Sequence, residues 1–148
     1  MLRSGPTERI LTVDVKPGWK KGTKIKFAGE GDELSDGSMQ DIEFVLEEKP
    51  HPVFKRQGDE LHTGLSVSVA EALCGFVKPI VHLDGRQVLV RGGEGDAVTA
   101  EGAKLFVRGE GMPSSKTGRK GDLVVTVKVV WPDRLDRDKK EAIRRLLL

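Results

Sequence analysis

Three histidines and one cysteine are the residues of this chain best suited to metal binding or nucleophilic chemistry. His51, His62 and His82 fall on separate predicted elements, and none has a second ligand at the spacing of a metal site. Cys74 has no second cysteine nearby, and we interpret it as a small core residue at the end of a short helix beside Gly75. The sequence therefore predicts no metal site, no cofactor and no catalytic residue, and it argues against an enzyme.

Two glycine-rich turns are the remaining candidates for ligand chemistry. Gly29-Glu30-Gly31 and Gly109-Glu110-Gly111 lack the third glycine of a dinucleotide-binding loop, and neither opens an apolar helix. Each places a carboxylate where a phosphate would be repelled. We therefore interpret these glycines as turn residues with positive φ rather than as a phosphate site.

Charge and composition exclude several classes of protein. The chain has 148 residues, and its 25 basic and 23 acidic side chains leave a net charge of +2. A nucleic-acid-binding module normally has a clear basic excess, so no nucleic-acid partner is expected. No apolar run approaches the ~18 residues that cross a membrane, and the first residues lack an apolar signal core. The composition favours a soluble cytoplasmic protein with no membrane partner.

An internal repeat organises the chain. The segments Lys24–Asp32 and Lys104–Met112 share a lysine, an apolar strand and a Gly-Glu-Gly turn at a constant offset of 80 positions. Each copy then enters a second strand that opens with aspartate, at Asp41 and Asp122. A repeat of this length predicts two related β-modules.

The first copy contains three predicted strands. Residues 10–15 alternate apolar and polar side chains, which is typical of a half-buried strand. The segments around Ile25 and around Phe44 have the same alternation, and the second of these places Ile42, Phe44 and Leu46 on one face. This apolar face is either part of a core or the lining of a groove.

The second copy carries additional elements before its matching strands. Ser68-Val-Ala-Glu71 has the form of a capping box, and Gly75 is a suitable helix stop. Asp84-Gly85 between two apolar runs predicts a hairpin with a type I′ turn. The segment Asp59–Arg86 has no counterpart in the first copy, and we therefore expect the first module to be truncated on its N-terminal side.

The predicted fold is mainly β, with two tandem small β-sandwich-like domains and a short C-terminal helix. The two prolines in Lys49–Pro52 cannot continue a central strand, so we place the module boundary there. The predicted divisions are residues 1–51 for a partial first β-domain, 52–133 for the second, and 134–148 for the helix.

The C-terminal helix is predicted to be amphipathic. Asp136 is the expected N-cap, and the apolar side chains fall on one stripe that consists of Leu135, Ile143, Leu146 and Leu147. A helix this short is marginal alone and has to bury its stripe against another surface. Packing on its own module and pairing with a second chain both satisfy this requirement.

Several motifs in the chain resemble the C-terminal region of J-domain (DnaJ-type) co-chaperones. The segments that carry the resemblance are Val13–Phe27, Asp41–Arg56, Glu71–Gly75, Leu83–Arg86, Gly109–Pro113 and Lys120–Leu123. The resemblance runs in order from about Ile10 to the end of the chain. No Cys-x-x-Cys zinc region is present, so the chain is similar to the zinc-free class.

This resemblance implies a function and a set of site residues. In the family, two β-domains in series hold unfolded client polypeptides for a DnaK-type heat-shock ATPase, and a C-terminal helix pairs two arms into a homodimer. Ile42 and Phe44 match the peptide-binding groove. The residues that match the dimer contacts are Trp131, Leu135, Ile143 and Leu147. An alternative is a fragment that keeps only a structural dimerisation role, with the peptide groove lost by truncation.

Overall fold

The computed structural model describes residues 10–148, and the chain divides into two compact units. We call Met1–Pro50 with Pro113–Arg119 the first unit, and His51–Met112 with Lys120–Leu148 the second unit. The prediction of a mainly β chain that ends in a short helix is confirmed. The exact sequential division at residues 51 and 133 stays a prediction.

The first unit contains one antiparallel pair of strands. Strand β1 spans Lys24–Phe27 and strand β2 spans Ile42–Val45. Ile25 lies opposite Phe44 and Phe27 lies opposite Ile42, so the apolar residues of both strands share one face. Both strands were predicted at these places in the sequence.

The predicted strand over residues 10–15 is not formed, and this prediction was wrong. These residues have no regular secondary structure. In the second unit, the strand that precedes the repeat segment is Gln87–Gly92, which pairs with Phe76–Val81 along its whole length. Residues 10–15 have no such neighbour within the described chain, and alternation alone cannot supply the hydrogen bonds of a sheet.

The second unit is built from a four-stranded sheet, a separate hairpin and two helices. Its elements are strand β3 (Lys55–Gln57), strand β4 (Glu60–Ser68), helix α1 (Val69–Cys74), strand β5 (Phe76–Val81), strand β6 (Gln87–Gly92), strand β7 (Lys104–Val107), strand β8 (Leu123–Val130) and helix α2 (Arg137–Leu147). The sheet order is β3-β4-β8-β7, with β4 and β8 parallel and the other pairs antiparallel. Strands β5 and β6 form the hairpin.

The core of the second unit lies between this sheet and the inner face of the hairpin. Buried residues of the sheet, together with Phe54 just before β3, pack against buried residues of the hairpin. This cluster comprises Phe54, Leu61, Ile80, Val88, Val90, Leu123 and Val125. A second cluster under α1 contains Val67, Ala72, Phe76 and Val127. Alternation along each strand therefore places one face of β8 in the core.

Helix α1 begins with the predicted capping box. The Ser68 side chain accepts a hydrogen bond from the Glu71 backbone N–H at 3.1 Å, and the Glu71 carboxylate accepts one from the Ser68 N–H at 2.9 Å. The chain leaves the helix at Gly75, which has a φ of 93°. The predicted start and stop of this helix are both confirmed.

The hairpin between β5 and β6 closes with a different turn from the one predicted. The Gly85 N–H donates to the His82 carbonyl at 2.9 Å, and the His82 N–H donates to the Arg86 carbonyl at 2.8 Å. Gly85 has a φ of 85°, whereas Asp84 does not have positive φ. A type I′ turn requires positive φ at both central residues, so this loop is a three-residue loop with glycine at the left-handed position.

The repeat predicted from the sequence is reproduced in the backbone hydrogen bonds. The Gly22 N–H donates to the Leu46 carbonyl at 2.8 Å, and the Gly102 N–H donates to the Val127 carbonyl at 2.9 Å. Strands β1 and β2 pair in the same register as β7 and β8, with Phe44 corresponding to Val125. The two copies are therefore structurally equivalent along these strands.

The two positions of each Gly-Glu-Gly turn require glycine for different structural reasons. Gly29 and Gly109 have φ values of 68° and 73°, as predicted. Gly31 and Gly111 do not have positive φ, so the prediction was wrong for them. A Cβ on Gly111 would lie 2.5 Å from the Asp59 carbonyl oxygen, and one on Gly31 would lie 2.8 Å from the Gln40 carbonyl oxygen. These two positions exclude a side chain because the backbone approaches closely.

Helix α2 begins at the predicted cap. The Asp136 side chain accepts a hydrogen bond from the Lys139 N–H at 2.9 Å, and Arg144 and Arg145 lie in the last turn, where they complement the helix dipole.

Within residues 10–148, no helix is both long and apolar enough to cross a membrane.

Candidate functional site

The sheet formed by β1 and β2 has an apolar face, which we call the Phe44 face. It consists of Ile25, Phe27, Ile42 and Phe44, which form two cross-strand pairs. The rings of Phe27 and Phe44 meet edge to face, with 5.7 Å between centroids and 85° between planes. Phe44 is 43% exposed and the other three side chains are partly buried. This face is preformed and accessible.

The opposite face of the same sheet is charged. Lys24 lies 3.6 Å from the Glu43 carboxylate, and Lys26 lies 3.1 Å from that of Asp41. The Gly29 N–H donates to Asp41 at 2.9 Å. This hydrogen bond, followed by the contact with Lys26, lowers the pKa of the Asp41 carboxyl. The sheet therefore has an apolar Phe44 face and a mainly charged opposite face.

The Phe44 face has the chemistry of a binding surface rather than of a catalytic site. Its four side chains carry no titratable group, and they present only ring and branched aliphatic atoms. Among residues 10–148, no three histidine, cysteine, aspartate or glutamate side chains form a metal-binding group. What the face can do is bury apolar side chains of another polypeptide.

Cys74 occupies a different environment from the one predicted. It is exposed, whereas the prediction placed it in the core. Ala72 is the buried residue of α1, and Cys74 lies at the last position of the helix. A helix of six residues buries only one side of its surface, and spacing alone did not identify that side.

The His51 side chain holds the backbone that precedes β3. Its Nδ1 atom accepts hydrogen bonds from the backbone N–H groups of Val53 at 3.1 Å and Phe54 at 3.2 Å. The Phe54 side chain is buried, and the Thr63 hydroxyl donates to the Val53 carbonyl at 2.8 Å. The start of the second unit is thus fixed to its core.

A charged cluster at the hairpin loop was not predicted from the sequence. Arg86 pairs with Glu110 at 2.8 Å and also contacts Asp84. The ring of His82 donates through Nε2 to the Glu110 carbonyl at 2.7 Å. Arg86 lowers the pKa of the Glu110 carboxyl below its usual range. The cluster ties the hairpin loop to the second Gly-Glu-Gly turn and so has a structural role.

Three of the four predicted dimer residues are exposed near the end of the chain. Trp131 is 72% exposed and Leu147 is 66% exposed, while Ile143 is 41% exposed and Leu135 is partly buried. No residue of α2 is buried. Packing of the helix on its own unit, one of the two predicted alternatives, therefore does not bury the stripe.

Comparison with known proteins identifies the family. The family model "DnaJ C terminal domain" matches residues 4–132. The chain is 47% identical over 141 residues to "Protein psi1" of Schizosaccharomyces pombe, an alignment that covers 95% of this chain and 36% of that protein. It is 39% identical over 142 residues to human "DnaJ homolog subfamily B member 11", covering 95% of this chain and 39% of that protein.

A plant relative gives the same result. The chain is 38% identical over 143 residues to "Chaperone protein dnaJ 3" of Arabidopsis thaliana, covering 96% of this chain and 34% of that protein. The chain thus spans between a third and two-fifths of the length of these relatives. The family match, the β-rich fold and the ordered sequence motifs agree, and the chain belongs to the DnaJ C-terminal domain family.

Proposed function

We propose that this chain is the client-binding and dimerising arm of a DnaJ-type co-chaperone. The observation that carries this proposal is the Phe44 face, a preformed and accessible apolar surface on a sheet whose other face is charged. Its role is to hold exposed apolar segments of unfolded polypeptides. Membership of the family supports a co-chaperone role rather than an enzymatic one.

The chemistry of the Phe44 face suits reversible capture of varied sequences. Burial of one large apolar side chain contributes roughly 1.5–3 kcal/mol. Contacts with Ile42 and Phe44 require no specific hydrogen-bonding partner, so many client side chains satisfy them. The costs of association and of ordering the client offset much of this gain, and the resulting binding is weak. Weak capture allows the client to be released to a partner.

The proposed partner is a DnaK-type heat-shock ATPase in the cytoplasm. The family supports this assignment because its members are co-chaperones, and one relative is named as a chaperone protein. The arm holds the client and the ATPase receives it.

Dimerisation through α2 is the second part of the proposal. The proposed homodimer contacts are Trp131, Leu135, Ile143 and Leu147. Three of them are exposed, and no residue of α2 is buried, which supports a contact with a second chain. A short helix gains most of its stability from packing of its apolar face. A second copy of the chain supplies that packing surface.

A dimerisation-only role is the alternative function. It is favoured by the small size of the sheet in the first unit, which has two strands within residues 10–148. Two strands are marginal without further packing. In that case α2 still pairs two chains, but the Phe44 face captures no client.

Suppression of client aggregation distinguishes these functions. Light scattering of an unfolding client is measured with the wild-type chain, with Phe44→Ser, and with Val45→Ser as a matched control. Val45 is adjacent in β2 and 54% exposed, but lies on the charged face. We expect Phe44→Ser to lose suppression and Val45→Ser to keep it. Equal suppression by both variants would contradict capture through Phe44, and the absence of suppression by the wild-type chain would support the dimerisation-only role.

A further inference from the structure

We propose that the outer face of β7 and β8 binds an extended acidic segment of another protein, in which one apolar residue and two carboxylates occupy alternate positions. We call this surface the Phe106 face, and it consists of Lys104, Phe106, Val124, Thr126 and Lys128. It belongs to the second unit, whereas the Phe44 face belongs to the first. The inference therefore goes beyond the proposed function and does not depend on it.

The register of the sheet places these five side chains on one face. Three residues of β8 point into the core, namely Leu123, Val125 and Val127. Because side chains alternate along a strand, Val124, Thr126 and Lys128 point away from that core. Phe106 lies opposite Val124 and Lys104 lies opposite Thr126, and such cross-strand partners share a face.

The equivalent face of the first copy supplies a carboxylate for its lysine. Lys24 lies 3.6 Å from the Glu43 carboxylate. In the shared register of the two copies, Lys24 corresponds to Lys104 and Glu43 corresponds to Val124. Valine cannot pair with an ammonium group, and Lys104 forms no ion pair within residues 10–148. The second copy thus keeps the lysine but lacks its internal carboxylate partner.

A second position on this face differs in the sign of its charge. Leu46 and Val127 make equivalent backbone hydrogen bonds, so the residues that follow them, Glu47 and Lys128, correspond. Lys128 is exposed, and it has no ion-pair partner in the part of the chain that the structure describes. The Phe106 face therefore carries two lysine ammonium groups that a partner's carboxylates can neutralise.

Phe106 adds an accessible apolar surface to these charges. Its side chain is 60% exposed, whereas Val124 directly opposite is only 1% exposed. The equivalent of Phe106 in the first copy is Lys26, which lies 3.1 Å from Asp41. An ion pair has thus been replaced by an aromatic ring beside a buried valine. An apolar side chain of a partner gains stability by packing on this ring.

Phe106, Lys104 and Lys128 are evenly spaced along the strand direction. Lys104 is two residues from Phe106 in β7, and Lys128 is two residues beyond Thr126, which lies opposite Lys104. Each step of two residues advances about 6.8 Å, and the second step also shifts sideways by one strand, about 4.8 Å. Alternate side chains of an extended peptide advance by the same step. A partner with an apolar residue on Phe106 therefore places its next two side chains near the lysines, where carboxylates make charge-assisted hydrogen bonds.

An acidic polypeptide fits this face better than a nucleic acid does. Phe106 is the single aromatic residue of β7 and β8, whereas single-stranded nucleic acids stack successive bases on several rings. Two lysines neutralise only two phosphates, which supports little affinity. Two nearby carboxylates already have partners within the fold, because Glu60 lies 3.3 Å from the His62 ring and Glu101 accepts a hydrogen bond from the Val129 N–H at 2.6 Å.

A labelled synthetic peptide with the central order Leu-Thr-Glu-Thr-Glu tests the proposal. Fluorescence anisotropy measures its binding to the wild-type chain, to a Lys104→Gln, Lys128→Gln double variant, and to Lys24→Gln. The last is the matched control, because Lys24 is the equivalent of Lys104 but has its own carboxylate partner. We expect the double variant to bind about fivefold more weakly or worse, and Lys24→Gln to bind within about twofold of the wild type. Equal affinities of the three proteins overturn the proposal.

A second peptide of the same composition, with the central order Leu-Glu-Glu-Thr-Thr, tests the spacing. Its carboxylates lie on opposite sides of an extended chain, so its affinity should be about threefold lower or less. Equal binding of the two peptides overturns the alternate pattern.

NMR of the ¹⁵N-labelled chain locates the bound peptide. We expect shifts of the amide signals of Lys104, Phe106 and Lys128, and shifts confined to other residues overturn the site. Broadening of these three signals with rising protein concentration and no peptide indicates that a second copy occupies the face, which overturns the assignment of the partner. Tighter binding of a polyuridine oligonucleotide, with the same loss in the double variant, also overturns that assignment.

Discussion

Phe44 and Val125 occupy equivalent positions in the two copies of the repeat, yet Phe44 is 43% exposed whereas Val125 is fully buried. Val125 lies under the hairpin of β5 and β6 and beside β4. No hairpin or parallel strand covers Phe44 within the described residues. The same local backbone thus serves as core in one copy and as accessible surface in the other.

This difference predicts unequal costs for equivalent substitutions. Leu123→Ala removes a fully buried side chain, so it should lower the free energy of unfolding of the second unit by about 2–5 kcal/mol. Ile42→Ala, at the equivalent position, should cost about 1 kcal/mol or less because its site is already partly open. Hydrogen exchange resolves the two units separately. Equal losses in both units would show that the Phe44 face is packed as a core.

Low pH should weaken the ion pair between Arg86 and Glu110. The pKa of the Glu110 carboxyl is lowered in the folded state from its ordinary 4.5, chiefly by its hydrogen bond with Arg86. The ionised Glu110 carboxylate therefore stabilises the folded state fully at pH values above 4.5. This stabilisation is lost as the pH falls through the lower pKa of the folded state. Glu110→Gln removes this contribution, so the variant should be less stable than the wild type at about pH 7, and the difference should narrow toward about pH 3.

Urea unfolding of the second unit at both pH values measures this effect. Glu94→Gln is the matched control, because Glu94 is exposed and its side chain makes no hydrogen bond or ion pair within residues 10–148. The control should have the pH dependence of the wild type. A constant difference between wild type and Glu110→Gln across this range would rule out a contribution from the ionised carboxylate.

Charges introduced into the apolar stripe of α2 should dissociate the dimer. Ile143→Asp with Leu147→Asp places two carboxylates where the proposed partner helix packs, and sedimentation should then show a monomer. Arg145→Asp introduces the same group on the opposite side of the helix and should leave the dimer intact. A monomeric wild type at micromolar concentration would contradict dimerisation through this helix.

Local signals in the sequence were sufficient to predict much of the fold. Ser68 and Glu71 predicted the start of α1, Asp136 predicted the start of α2, and apolar alternation predicted the strands β1 and β2. These features depend on residues that interact over a few positions or on a pattern that the chain repeats. Such signals need no knowledge of distant contacts.

Features that depend on a distant neighbour were missed. Residues 10–15 have the alternation of a strand but no neighbour to pair with in the described chain. Arg86 and Glu110 are far apart in sequence, and only the packing of the hairpin loop on the Gly-Glu-Gly turn brings them together. For the candidate site, sequence identified Ile42 and Phe44, but their exposure depends on what covers the sheet.

Direct binding of an unfolded polypeptide to the Phe44 face tests the central claim. Fluorescence anisotropy of a labelled, permanently unfolded client is titrated with the wild-type chain, Phe44→Ser and Val45→Ser. We expect saturable binding by the wild type, an affinity about tenfold weaker for Phe44→Ser, and a change within about twofold for Val45→Ser. Equal affinities for the wild type and Phe44→Ser, or no saturable binding by the wild type, would contradict the account.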